Sequence, residues 1–297
     1  MSFFRKMLLE LINFIFNNSV GLRLLGRLKI FNAVFVMYPA DQEFADYYTF
    51  RFRQRFIAWK PFITGVITHR FGVRTLMFAI SSHVDGRDSN YDPSDLKGLH
   101  TFVESLKGWL RADSTHFAGT LPGRLSALKV RRVNSEQRAT VENVVKAVEV
   151  VRHTRPYPVV ILGAKGYVGR EVTKYLVNGS NLEVLAVDLD GVYQNGCRVS
   201  GEYMELEDPH LILNITHPEA INPYIDKMNR RTIVLNEVYP APGSGVVSSM
   251  NNRGVDVYHI AGVKASVWPP FPGSYQGAVP CCAALPGENY EVVVVKL

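Results

Sequence analysis

One stretch of the sequence constrains the fold more than any other, because a short apolar run leads directly into a regularly spaced series of glycines. The order is strand, glycine turn, helix, strand and acid, over residues 158–162, 163–169, 170–176, 182–187 and 188. The first run, Pro-Val-Val-Ile-Leu, is typical of a central strand in a parallel sheet. In such a unit Gly163 makes the tight turn, Gly166 lets a ligand approach the backbone, and Gly169 lets the helix pack on the strand.

This order of elements indicates a Rossmann domain that binds a dinucleotide. The pyrophosphate would lie at the start of the helix, where unpaired N–H groups and the helix dipole favour negative charge. Asp188 lies near the expected distance of about 20 residues from the turn and would accept hydrogen bonds from the adenosine ribose. That acid favours NAD(H), and NADP(H) stays open as the alternative. The predicted cofactor-binding residues of the turn are Gly163, Ala164, Lys165, Gly166, Tyr167, Val168 and Gly169.

Three further apolar segments, over residues 210–216, 231–240 and 255–262, continue the predicted sheet. Ligands of doubly wound sheets bind outside the carboxyl ends of the strands. His217 would lie beside the nicotinamide and is a candidate catalytic residue. The other residues predicted at this edge are Asn214, Thr216, Tyr239, Gly262 and Lys264. A glycine turn in a sheet without a cofactor is the alternative interpretation.

The chain of 297 residues is long enough for two domains, each with its own core. We expect an α/β substrate domain over 31–135, a linking helix over 136–156 and the Rossmann domain with a C-terminal segment over 157–297. In the substrate domain the pattern predicts strands over 33–38, 62–68 and 74–80, helices over 41–58 and 94–106, and a glycine-bearing turn over 116–124. The predicted fold class is α/β, with the substrate domain preceding a doubly wound Rossmann domain.

The segment over residues 1–30 is predicted to be an amphipathic helix. Its run Phe3–Phe16 starts with basic residues, is interrupted by Glu10 and Asn13, and has no small-residue cleavage site after it. One interpretation is a helix packed on the body of the protein or on a second subunit, which leaves a homo-oligomer open. The other is a helix that makes a peripheral membrane contact through residues 3–16, or that lines an acyl-chain tunnel.

Charge and cysteine content restrict the partners. The net charge of +6 and the pI near 9.2 suit an acidic partner or an anionic membrane surface, while nothing in the sequence suggests nucleic acid or zinc. Cys197, Cys281 and Cys282 form no disulfide framework, which favours a reducing, cytoplasmic location. The Asp85–Asp92 loop is rich in carboxylates but lacks the downstream Glu of a calcium loop, so no metal is predicted.

Two resemblances bear on the reaction. Asn214-x-Thr216, Val238-Tyr239-Pro240 and Gly262, each after a predicted strand, resemble the cofactor domain of shikimate dehydrogenases. The domain order, the Gly163–Gly169 turn and Tyr239-Pro240 also resemble the long-chain acyl-(acyl-carrier-protein) reductases, which make fatty aldehydes. The latter resemblance implies that Cys282, or its neighbour Cys281, is acylated by the substrate.

The main hypothesis is therefore the NAD(P)H-dependent reduction of an acyl thioester to an aldehyde through a cysteine acyl-enzyme, with Lys264 or backbone amides stabilising the oxyanion. The thioester would be a small molecule or bound to an acyl-carrier protein. The alternative is an alcohol, imine or hydroxy-acid dehydrogenase without covalent catalysis, in which a Lys or His of the first domain moves the proton. His69, His83 and His116 lie near predicted strand ends in that domain. Tyr275 and Gln276 are predicted substrate contacts. A third hypothesis is a dinucleotide-binding protein without turnover.

Overall fold

The computed structural model describes residues 2–39, 42–54, 59–69, 72–81, 92–130, 135–152, 157–180, 182–188, 198–200 and 209–297. His83, Cys197 and residues 85–91 of the acidic loop lie outside these ranges. The chain divides into two compact units, one formed by residues 1–136 and 265–289 and the other by residues 137–264 and 290–297. We call them unit 1 and unit 2.

The chain forms most of unit 1 first, then most of unit 2, and returns to unit 1 near its end. Unit 1 begins with α1 (Ser2–Phe16), α2 (Ser19–Arg27), β1 (Ala33–Met37), α3 (Gln42–Tyr48), α4 (Arg51–Gln54), β2 (Phe62–Thr68), β3 (Arg74–Ala79), α5 (Pro93–Leu110), β4 (Ser114–Phe117) and α6 (Leu121–Ala127). After α7 (Ser135–Arg152), unit 2 contains β5 (Val159–Leu162), α8 (Tyr167–Ser180), β6 (Val184–Val187), β7 (Arg198–Ser200), β8 (His210–Asn214), the 3₁₀ stretch Pro218–Lys227, β9 (Thr232–Asn236), α9 (Ser244–Asn252) and β10 (Asp256–Val263). Then come β11 (Ser266–Trp268), 3₁₀ turns at Gly273–Tyr275 and Cys281–Ala283, and β12 (Val292–Lys296).

Unit 1 is built on a five-stranded sheet in the order β11-β2-β3-β1-β4. β1 runs parallel to β3 and β4, whereas β2 is antiparallel to β3 and β11. β1 is buried along its whole length, which fits its uninterrupted apolar sequence. Part of the segment predicted as a turn over 116–124 is the edge strand β4. Its four residues are too few to show a strand period, and its pairing with β1 is long-range.

Unit 2 is built on a seven-stranded sheet in the order β12-β10-β9-β8-β5-β6-β7. The strands from β5 to β10 are parallel, and β12 is antiparallel at the edge beside β10. Two crossovers lead from β5 outward to β7, and the chain then continues from β8 on the other side, which is the strand order of a Rossmann sheet. The predicted α/β class, with a doubly wound domain after a first α/β unit, is confirmed.

The structure differs from the predicted domain boundaries in the last third of the chain. We predicted that residues 157–297 belong to the Rossmann domain, but Ala265–Asn289 belong to unit 1. β11 pairs antiparallel with β2, and a methyl group on Gly65 would lie 2.1 Å from the carbonyl oxygen of Trp268. A three-residue strand that pairs with a distant partner leaves no periodic signal, so the sequence did not reveal it. The linking helix is α7, which is counted with unit 2 from Gln137 onward.

The predicted N-terminal helix is two helices, because the chain turns sharply at Asn18. The Asn18 side chain accepts hydrogen bonds from the N–H groups of Val20 and Gly21 and so begins α2. Within the part of the chain that the structure describes, no single helix is long and apolar enough to cross a membrane. The pair α1 and α2 passes that test together but is bent by 88°.

Candidate functional site

The turn between β5 and α8 has backbone geometry that requires its first glycine. Gly163 has a φ of +91°, and its N–H donates to the carbonyl oxygen of Val187 at 3.0 Å. A methyl group here would lie 2.8 Å from the Cβ of Thr216. Glycine is therefore required at this position both by the backbone conformation and by the close approach of the segment that follows β8.

The other two glycines of the turn differ in a way that bears on ligand binding. A methyl group on Gly169 would lie 2.2 Å from the carbonyl oxygen of Gly163, so the fold itself requires glycine there. Gly166 is exposed and has no positive φ, and a methyl group would meet only the Gly163 carbonyl oxygen at an ordinary 3.5 Å. Nothing in the described protein requires glycine at residue 166. A ligand lying against the turn does require it, so the residues present fit a dinucleotide pyrophosphate.

The first turn of α8 suits an anion. It contains no acidic residue, and the helix is 14 residues long, so its dipole places partial positive charge at Tyr167. Of the predicted turn residues, Lys165 is exposed, Tyr167 and Val168 are half-buried, and Ala164 is buried.

The structure brings the predicted ribose acid and the glycine turn together. Asp188 directly follows β6, and its Oδ2 accepts a hydrogen bond from the backbone N–H of Lys165 at 2.8 Å. The carboxylate thus fixes the middle of the turn, and its predicted role as ribose acceptor stays a prediction.

The carboxyl ends of β8 and β9 are joined by buried amide side chains. The Asn214 Nδ2 donates to the carbonyl oxygen of His217 at 2.9 Å and to the Oδ1 of Asn236 at 3.0 Å. Its Oδ1 accepts from the N–H of Thr216 at 3.3 Å. Asn214 is fully buried, so it shapes the loop after β8 from inside, whereas Thr216 and His217 are exposed on that loop.

His217 has a structural task in addition to its predicted catalytic one. Its Nδ1 accepts a hydrogen bond from the N–H of Glu219 at 3.2 Å and so caps the 3₁₀ stretch after β8. An accepting Nδ1 carries no proton, which places the proton of the neutral ring on Nε2. The imidazole can then act as a hydrogen-bond donor at its exposed end.

Glu237 is a titratable residue that the sequence analysis missed. It directly follows β9, and its N–H donates to the carbonyl oxygen of Asn214 at 3.0 Å. The side chain is half-buried, and removal from water raises the pKa of its carboxyl to about 8. The acid therefore holds its proton at neutral pH. An acidic residue directly after Asn236, inside the otherwise largely apolar segment 231–240, was the available signal.

His259 lies behind this edge and is structural. It is buried in β10, and burial lowers its pKa to about 4. Its Nδ1 lies 3.1 Å from the carbonyl oxygen of Asn236. The same Nδ1 lies 3.1 Å from the side-chain Nδ2 of Asn236, so Asn236 holds the ring from its backbone and from its side chain. The low pKa keeps the ring neutral.

The remaining predicted residues of unit 2 lie further along the sheet. Gly262 has a φ of +129° at a register shift between β10 and β12, which is where a bulge needs glycine. The Lys264 ammonium is exposed and lies 3.2 Å from the Glu291 carboxylate. Tyr239 is half-buried and precedes Pro240 across a cis peptide bond. The predicted oxyanion role of Lys264 stays a prediction.

The predicted nucleophiles and substrate contacts belong to unit 1. Cys281 is buried and Cys282 half-buried, on a 3₁₀ turn that packs against β4. The Tyr275 ring makes edge contacts with Phe271 and Phe44, at centroid distances of 5.4 and 6.3 Å. Gln276 is exposed with a φ of +50°.

Two histidines of unit 1 that could move a proton are buried, His69 directly after β2 and His116 within β4. The His69 Nε2 lies 2.8 Å from the Thr75 hydroxyl, and burial lowers the pKa of His69 to about 4. The His116 Nε2 lies 2.9 Å from the Ser114 hydroxyl. Their surroundings are those of structural core histidines.

Comparison with known proteins gives low similarity. No family model matches the chain, and no curated protein matches it by sequence. Among solved structures, a quinate dehydrogenase from Corynebacterium glutamicum in complex with NAD is 13% identical with a TM-score of 0.41, over 76% of this chain and 86% of that one. A shikimate dehydrogenase in complex with NADP⁺ is 13% identical with a TM-score of 0.44, over 78% and 85%. An NAD-dependent malic enzyme from Thermotoga maritima is 16% identical with a TM-score of 0.37, over 77% and 66%.

Proposed function

We propose that this protein is an NAD(P)-dependent oxidoreductase that moves hydride to or from a small hydroxy, carbonyl or imine compound without a covalent intermediate. The observation that carries the proposal is Gly166, whose missing side chain is explained by an approaching pyrophosphate and by nothing in the described protein. The start of α8, free of acidic residues in its first turn, supplies N–H groups and positive potential for the same phosphates.

A bound nicotinamide would supply the hydride acceptor or donor, and the protein would supply position and a proton. Asp188 would hold the ribose, and the loop carrying Thr216 and His217 would face the cofactor from the end of β8. Oxidation of an alcohol releases one proton together with the hydride, so a nearby base or acid has to change its protonation state. Glu237 and His217 are the candidates of unit 2 for that step.

Cofactor choice follows from the sign of the charge beside the ribose. A carboxylate accepts hydrogen bonds from two ribose hydroxyls and repels a 2′-phosphate. Asp188 therefore favours NAD(H) in our proposal.

The test is a fluorescence titration of the full chain with NADH and NADPH. We expect Gly166→Ala to weaken binding by about tenfold or more, because forcing a methyl group into filled space costs about 1–3 kcal/mol and 1.4 kcal/mol is tenfold. The matched control is Gly179→Ala near the end of α8, the helix after the turn, where a methyl group would make ordinary contact with the Tyr175 side chain at 3.6 Å. Absence of binding by the wild type, or equal affinity of both variants, would overturn the proposal.

The acyl-thioester reaction implied by the reductase resemblance is the second candidate. Its supporting observation is that Cys282 is half-buried, so part of its surface is open to a reagent. Iodoacetamide labelling with and without an acyl thioester tests it, with the buried Cys281 as the internal control. Protection of Cys282 together with loss of aldehyde formation in Cys282→Ala would support it, whereas full activity of Cys282→Ala would remove it.

Binding of NADH without turnover of any carbonyl compound would favour a non-catalytic role.

A further inference from the structure

Helix α1 is apolar on both of its faces. Leu9 lies on the inner face and is 1% exposed. The outer face carries large apolar side chains that are between 48% and 84% exposed, namely Phe3, Phe4, Met7, Leu11, Phe14 and Ile15. With 3.6 residues per turn, these six positions fall within an arc of about 120° opposite Leu9.

The polar side chains of α1 point into unit 1. The Asn13 Nδ2 donates to the carbonyl oxygen of Ile63 at 2.8 Å, and its Oδ1 accepts from the N–H of Ile63 at 2.7 Å. Arg5 donates to the carbonyl oxygen of Tyr47, and Glu10 pairs with Arg53. These polar contacts hold α1 on the unit, with its second apolar side directed outward.

Helix α2 packs on unit 1 and also has exposed apolar side chains on its outer side. A methyl group on Gly26 would lie 2.2 Å from the carbonyl oxygen of Trp109, so α2 packs tightly on α5. On its outer side lie the exposed apolar residues Val20, Leu24 and Leu28. Arg23 and Arg27 are exposed beside this stripe.

The apolar surface continues from α1 onto α4. The Phe3 ring meets the Phe50 ring edge-on at 5.9 Å, and Phe50 stacks with Phe52 at 5.7 Å. Phe52 is 69% exposed. We call the outer residues of α1 and α2 together with Phe52 the apolar face. Large apolar side chains exposed in this number indicate a binding surface.

The charges on α1 and α2 are predominantly positive. Residues 2–30 contain five basic residues and a single acidic one, Glu10. Glu10 is already engaged, since it contacts Arg53 and accepts a hydrogen bond from Thr49. Arg23, Arg27 and Lys29 are exposed, so the rim of the apolar face beside α2 is cationic.

We propose that the apolar face binds the surface of an anionic lipid membrane, with its apolar side chains at the acyl boundary and its cations among the headgroup phosphates. Amphipathic helices with aromatic and Leu side chains flanked by Lys and Arg bind membranes in this way. The bend of 88° between α1 and α2 would allow both helices to lie in the plane of a membrane surface. A second copy of the chain fits less well, because a symmetric contact would bring the same cationic rim against itself. This inference is independent of the proposed dehydrogenase activity.

The experiment is flotation of the full chain with vesicles of phosphatidylcholine alone and of phosphatidylcholine with phosphatidylglycerol. We expect the wild type to float with the anionic vesicles only. The double variant Leu11→Ser/Phe14→Ser should stay in solution, whereas Val150→Ser, which changes an exposed apolar residue of α7, should float. These side chains are already exposed, so the melting temperature should not fall.

A second pair of variants measures how much the basic residues contribute to vesicle binding. Arg23→Glu/Arg27→Glu should bind anionic vesicles about tenfold or more weakly, since each cation near such a surface is worth about 1 kcal/mol. Lys97→Glu/Lys129→Glu makes the same change in net charge at exposed positions away from the apolar face and should bind normally. Absence of vesicle binding by the wild type would overturn the proposal. So would dimers in light scattering that disperse in Leu11→Ser/Phe14→Ser without any vesicle binding.

Discussion

A methyl group on Gly169 would lie 2.2 Å from the carbonyl oxygen of Gly163, so the start of α8 touches the end of β5 with no room for a side chain. We expect Gly169→Ala to lower the free energy of unfolding by about 1–3 kcal/mol, because the backbone must move apart. Thermal unfolding followed by circular dichroism measures this. Gly166→Ala should unfold like the wild type. A normal melting temperature for Gly169→Ala would contradict the close packing.

Asp188 accepts a hydrogen bond from the turn and, in our proposal, also binds the ribose, and a single substitution can separate these two roles. Asp188→Asn keeps an oxygen for the Lys165 N–H but removes the charge beside the ribose. We expect NADH to bind about tenfold more weakly, since hydrogen bonds to charged groups are worth about 1.5–3 kcal/mol. Binding of NADPH should be unchanged or tighter. Titration with both cofactors checks this, and equal losses for the two would refute the assignment.

Glu237 should make stability depend on pH. Its pKa is raised to about 8 in the folded protein from an ordinary value of 4.5, so between these values the folded state binds more protons than the unfolded one. Stability should therefore fall as pH rises from about 5 to 8, by less than about 1.4 kcal/mol per pH unit, the limit for one proton. Urea unfolding of the wild type and Glu237→Gln at several pH values measures the difference. An unchanged slope in the variant would exclude Glu237 as its source.

Asn13 should matter for the stability of unit 1. Strand β11 pairs with β2 only from Val66 to Thr68, and the Asn13 amide satisfies both backbone groups of Ile63 further along the strand. Asn13→Ala leaves those buried groups without a partner, at about 1–3 kcal/mol for each. Urea unfolding should show this loss, while the exposed Asn252→Ala should not differ from the wild type. Equal midpoints would mean that water or another group replaces Asn13.

Local patterns made the cofactor side of the molecule predictable. The glycine turn and Asp188 belong to one βαβ unit, whose spacing places the acid beside the turn, and the hydrogen bond from Lys165 to Asp188 agrees with this. Glu237 was missed because its high pKa arises from burial, which depends on parts of the chain that are distant in sequence.

Long-range pairings limited the prediction of unit 1. β4 and β11 contain four and three residues, and each pairs with a strand far away in the sequence. The apolar N-terminal segment was predicted as helical, with packing and membrane contact as alternatives. The structure explains why both fitted the sequence, since Leu9 is buried and Phe14 on the opposite side is exposed.

The return of residues 265–289 to unit 1 has a consequence for synthesis on the ribosome. The sheet of unit 1 lacks β11, and the sheet of unit 2 lacks β12, until the last strands of each have left the exit tunnel. Neither unit can therefore complete its sheet while the chain is still being extended through residue 264. An early fragment would expose the edges of β2 and β10, and unpaired strand edges are sites of misassembly.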